Sequence, residues 1–205
     1  MSFYLDEKRS PRDVIISFTS TPRYDFGAFA HGYHLAAKSL AEAFLKKPGF
    51  ADYEGYPIVF MYRHALELHF KNIIYWAARL CAFKGIESID HKLYNTHDLS
   101  QLVNPATSLL STLFPSDKEL ASFVNELRII ASEFSQIDST SCSYRYPIDS
   151  DGNHSTKQHQ SVNILSIYSN LEPVLEKLSG VNFGLEMESD LAQKAYGLLR
   201  EFSKN

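Results

Sequence analysis

The chain has 205 residues, 44% of them hydrophobic, and a formal net charge of −4. That length suits one domain, or one domain with an appendage, and the apolar share suffices for a sizeable core. The negative balance supplies no overall basic field for nucleic acid, so any RNA contact needs a local patch.

Residues 1–24 read as an irregular arm, in which VIISF (14–18) is a short strand or an extended segment between Pro11 and Pro22. From Asp25 to Lys47, Phe26, Phe29, Ala30, Tyr33, Ala37, Leu40, Ala41 and Phe44 recur at separations of three and four. This predicts an amphipathic helix capped by Asp25 and stopped before Pro48-Gly49. His31 and His34 lie three apart on it. They would hold a metal only with further ligands, and surface or interface positions are the simpler expectation.

Tyr56 to about Lys84 is the longest apolar-rich run, with Pro57 expected at its first helical position. At about 100° per residue, Arg63, His64, Glu67 and Lys71 share one arc, and Tyr62, Leu66, Phe70, Ile73 and Trp76 help fill the rest. A helix apolar over most of its circumference belongs in the middle of a bundle. The charged arc is either an ionic strip satisfied by its own four-residue spacings, or a polar seam that receives a ligand, a phosphate or a second subunit. His69 falls on the apolar side, where a core or interface histidine is expected.

Further along, Thr96 reads as a helix cap with Asp98 in the first turn, and Asn104-Pro105 as a restart. Asp117 to Ile137 carries a wide apolar face, with Leu120, Phe123, Val124, Leu127, Ile130, Ala131, Phe134 and Ile137. Residues 138–162 are polar and turn-rich, a long functional loop with room for a small β-hairpin about Ser150–Asn153. A helix from about Ser161 to Leu178 is expected to stop at Gly180, and a last helix, about Ser189 to Phe202, forms a C-terminal appendage within 181–205. The fold class is therefore all-α, a bundle of about five to six helices over 25–180 with one long polar loop.

Cys81 and Cys142 lie far apart without a CxxC spacing, which predicts a reducing, cytoplasmic setting with neither disulfide framework nor zinc site. The N-terminus has no apolar signal core, and no apolar run reaches the length of a membrane span. With 9 glycines and no Gly-rich phosphate loop, GxSxG, HExxH or GxGxxG, no cofactor is implied.

Three stretches, YRHALELHFK (62–71), THDLSQL (96–102) and SYRYPID (143–149), follow FAHGYHLAAKSL (29–40) in an all-helical chain. Together they resemble the HEPN superfamily, helical-bundle domains of prokaryotic toxin–antitoxin, abortive-infection and CRISPR-associated proteins. The resemblance spans about residues 25 to 180. It implies a four- to five-helix bundle that works as a homodimer or with a partner protein. It also implies either a metal-independent endoribonuclease with an Arg-x(4–6)-His motif, or a non-catalytic binding, sensor or scaffold module. Arg63 and His69 match the motif as a string but fall about 120° apart on a helix. Arg145 and His154 are separated by eight residues, and a hairpin would fold them together; alternatively Arg145 anchors the loop to Glu67 or Asp98. In the catalytic reading His64 or His154 moves protons, and Arg63 and Arg145 hold the phosphate. Glu67, His97, Asp98 and Asp149 complete the candidate set as binding residues, with RNA or a nucleotide as candidate ligands. Arg145 is expected within contact distance of the Arg63–Glu67 helix face.

Overall fold

The computed structural model describes residues 10, 11, 14, 26–47, 52–86, 96–138, 141, 143–149, 151–156 and 161–202. Residues 15–18 of the expected VIISF segment, the Asp25 cap and Cys142 lie outside the described residues. Among those described, the chain is all-helical: α1 (Phe26–Leu45), α2 (Asp52–Phe83), α3 (Leu99–Leu113), α4 (Lys118–Ile137) and α5 (Ile164–Phe202). No helix among them is long and apolar enough to cross a membrane.

α2 is the axis of the bundle. Between Ile58 and Cys81 only Phe60, Met61, His64, Tyr75 and Arg79 escape full burial. α1, α3 and α5 all pack on it. α5 runs parallel to α2, since Tyr62 meets Glu172, His69 meets Asn182 and Phe83 meets Tyr196. α1 runs antiparallel to α2, with Tyr33 on His64 and Lys47 on Glu54. Its contact face is built from Ala30, Ala37 and Ala41, small residues that admit a close approach, while Phe29 and Leu40 of the expected apolar stripe stay largely outside. α3 and α4 form an antiparallel pair tied by Arg128 to Thr107 and by Ser135 to the Ser100 N–H.

Several boundaries differ from the sequence reading. α2 starts at Asp52, so Pro57 lies in its second turn. The hydrogen bond that Pro57 forgoes would have gone to Tyr53, whose position is exposed enough for water to serve instead. The cap of α3 is Asp98, not Thr96: the Asp98 carboxylate accepts the Ser100 N–H, while Thr96 Oγ1 accepts the Asp98 N–H. α3 continues through Asn104-Pro105 without a restart. The two expected C-terminal helices are one 39-residue helix that begins at Ile164 and passes through Gly180. Asn163 caps it, accepting the Ser166 N–H at 2.9 Å. Leu178, Asn182, Leu185 and Ser189 press against the rest of the bundle on either side of Gly180, and that packing outweighs the helix penalty of about 1 kcal/mol for a glycine.

Candidate functional site

Arg63 is completely buried, so its charge must be met by the protein. Nη2 donates to the carbonyls of His97 (2.7 Å) and Asp138 (3.0 Å). Nε lies 3.3 Å from the Asp138 carboxylate, and Nη1 lies 3.4 Å from Glu67 Oε2. One guanidinium thereby joins α2 to the segment before α3 and to the C-cap of α4. Each of its three nitrogens has a protein partner, and the role of phosphate clamp foreseen for Arg63 is not the one its contacts serve.

Glu67, one helical turn on, is equally buried. Oε1 accepts Lys71 Nζ and His97 Nδ1, each at 2.8 Å. His64 Nδ1 lies 3.8 Å from Oε2. Burial opposes ionisation of Glu67, but His64, Lys71 and His97 outweigh it and hold its pKa down to about 2. An ionised carboxylate can only accept, so the hydrogen it shares with His97 sits on Nδ1, and Nε2 is the ring nitrogen left to other partners. The His97 side chain is 52% exposed and that of His64 22%, so both imidazoles reach from a buried anion toward solvent. The His64 ring stacks on Phe60 at 5.4 Å and meets the edge of Tyr33 at 4.5 Å, partners that the sequence reading had not found for it.

The loop after α4 closes over this face. Asp138 Oδ1 accepts the Ser143 N–H, and Ser141 is held in the left-handed region at φ 63°. The Ser141 carbonyl accepts Arg145 Nε at 2.6 Å. The exposed Arg145 guanidinium lies over Phe60 and Tyr146, 5.5 Å from each ring centre. Arg145 thus reaches the outer side of the Arg63–Glu67 helix face as expected, through Phe60 rather than through Glu67 or Asp98.

The other candidates serve locally. His154 is exposed and its backbone forms a single antiparallel bridge with Ile148; among the described residues the loop has no strand beyond that bridge. Asp149 closes the turn, accepting the N–H groups of Asp151 and Asn153, which hold its carboxyl below the ordinary value. Asp98 caps α3 and accepts Ser135 Oγ. His69 is a core residue: its pKa is pushed down to about 3, first by burial and then by the charges of His34 and His31. Its ring pairs with Asn182.

Sequence reasoning missed a further buried carboxylate, Glu172 of α5. It accepts Tyr62 Oη at 2.7 Å and meets Lys38 at 2.8 Å and His34 at 3.1 Å. An acidic residue before Pro173, inside an apolar stretch, was the available signal. Among the described residues no group of three or more His, Cys, Asp or Glu side chains is placed to hold a metal. A separate cleft of about 650 Å³ opens between α4 and the start of α5, walled by Val59, Phe134 and Leu171 and rimmed by Asn125, Glu133 and Asn170.

Comparison with protein-family models, with curated proteins and with solved structures gives no match to this chain.

Proposed function

We propose that the chain is a HEPN-like protein of the prokaryotic defence type whose site about Glu67 cleaves RNA without a metal. The observation that carries this reading is one buried carboxylate shared by two partly exposed imidazoles, with an exposed guanidinium over Phe60, the ring on which one of them stacks. His97 Nε2 takes the proton from a ribose 2′-hydroxyl. The freed oxygen attacks the adjacent phosphorus, a cyclic phosphate forms, and the 5′-oxygen leaves with a proton from His64. Arg145 holds the phosphate, in the role given at first to Arg63 as well.

The test is cleavage of labelled single-stranded RNA by the purified full chain in excess chelator. His97→Ala and His64→Ala should each lower the rate by about 100-fold or more, with the far-ultraviolet dichroism unchanged. Chelator-resistant cleavage that survives His97→Ala would refute the assignment.

Two observations favour a second reading, a non-catalytic binding module: Arg63 is spent on protein acceptors, and the net charge of −4 offers RNA no general attraction. A folded chain that binds a nucleotide or RNA oligomer at this face but leaves it intact would favour that module.

A further inference from the structure

α5 has two opposite faces. Leu178, Asn182, Leu185 and Ser189 face the bundle and are buried. On the other side Phe183, Met187, Leu191, Leu198 and Phe202 are 50–76% exposed. At about 100° per residue these five fall within an arc of roughly 100°, so they form one outward stripe. Gly180 and Gly184 lie on the same stripe, and a Cβ added to either would meet nothing within 4 Å. The stripe therefore has an open side onto which another helix can settle closely.

We infer that this stripe pairs antiparallel with the same stripe of a second copy of the chain. The five side chains present on the order of 600 Å² of apolar surface, at the top of what a monomer's largest patch covers. Doubled by a twofold axis, that reaches the roughly 1,200 Å² at which stable interfaces begin. Charge chooses the direction. Lys194 lies at the edge of the stripe and is exposed. Parallel pairing sets Lys194 against its own copy. Antiparallel pairing about an axis near residues 192 and 193 sets Phe183 against Phe202 and Met187 against Leu198. It also brings Lys194 beside Asp190 of the second copy, and the twofold axis repeats that contact. Asp190 has room for the contact, because its pair with Arg79 on α2 is a loose one at 3.8 Å.

The proposal is independent of the chemistry at Glu67. Its test is the mass of the full chain in solution by light scattering and sedimentation. Twice the 23.3 kDa chain mass is expected at micromolar concentration. Leu191→Glu with Leu198→Glu should weaken association by at least about 100-fold while the dichroism and melting temperature hold. Direction is read by oxidative crosslinking in a Cys142→Ser background. Chains carrying Phe183→Cys should crosslink to chains carrying Phe202→Cys, and neither should crosslink to itself. A monomer at high micromolar concentration, a dimer indifferent to the double substitution, or Phe183→Cys crosslinking to itself would each overturn the proposal.

Discussion

Replacing Glu67 with Gln keeps the shape of the side chain and removes its charge from among Arg63, Lys71, His64 and His97. Held at about 2 against an ordinary 4.5, the Glu67 carboxyl adds about 3 kcal/mol to stability near pH 7. A second route gives a similar size: breaking a buried ion pair costs about 3–5 kcal/mol, because the partners left behind remain desolvated. Arg63 and Lys71, both buried, are those partners. For a chain of this length the loss lowers the melting temperature by roughly 6–12 °C. The sign with pH follows from the direction of the shift. A carboxyl that binds its proton more weakly when folded contributes in full above about pH 4.5, and the contribution fades as the pH falls toward 2. Urea denaturation followed by dichroism should therefore show Glu67→Gln well below the parent near pH 7, with the gap narrowing by about 2 kcal/mol at pH 3. A Gln variant within about 1 kcal/mol of the parent at neutral pH would refute the view that this carboxylate holds the α2, α3 and α4 junction together.

Burial keeps His69 neutral, with its pKa at about 3, so the unfolded chain binds the extra proton below its ordinary 6.5 and stability should fall as the pH drops from there. The loss reaches about 3 kcal/mol by pH 4.5 in equilibrium unfolding, and His69→Leu with Asn182→Leu should flatten that slope, whereas His69→Leu alone leaves Asn182 buried without its partner. Gly27→Ala places a Cβ 3.2 Å from Asn72 Nδ2, and because Asn72 is buried the crowding should cancel the helix gain and leave a net loss of about 1 kcal/mol by thermal melting. Asp98→Ala removes the cap of α3 and the acceptor for Ser135 Oγ, and should lose about 1–2 kcal/mol in the same experiment; no loss would mean that another group caps α3.

The helices themselves were legible because each carries a long apolar period, and the i, i+4 charges of Arg63, Glu67 and Lys71 announced a linked strip on α2. His69 was legible as a core residue for the same geometric reason. Contacts across long sequence separations were not. Glu172 is an ordinary helical glutamate until α1 and α2 bring His34, Lys38 and Tyr62 to it, 138, 134 and 110 residues away in the chain. Asp138 read as the first residue of a loop, although it is the cap of α4 and the acceptor that takes up Arg63. Local signals also misled where packing overruled them. Gly180 looked like a stop, yet the neighbouring turns of α5 are buried on both sides of it, and Thr96 looked like a cap because its hydroxyl is placed two residues before the residue that does cap.

A central helix buried on every side has an ambiguous register. Sliding α2 by one turn moves it about 5.4 Å and trades one set of apolar contacts for a similar set. Its polar groups remove that freedom. Arg63 and Glu67 find their acceptors and donors only where His97 and Asp138 stand, which fixes α2 against the α3 and α4 pair. Tyr62 and His69 find Glu172 and Asn182 only where α5 lies parallel and in this register. The two sets face different neighbours, so a slip that kept one would strand the other in the core, at roughly 1–3 kcal/mol for each neutral group and more for a charge. The junction with His97 is also where the polar groups reach solvent. The buried end of that network, Arg63 and Glu67, holds the helices in register, and its partly exposed end is His64 and His97.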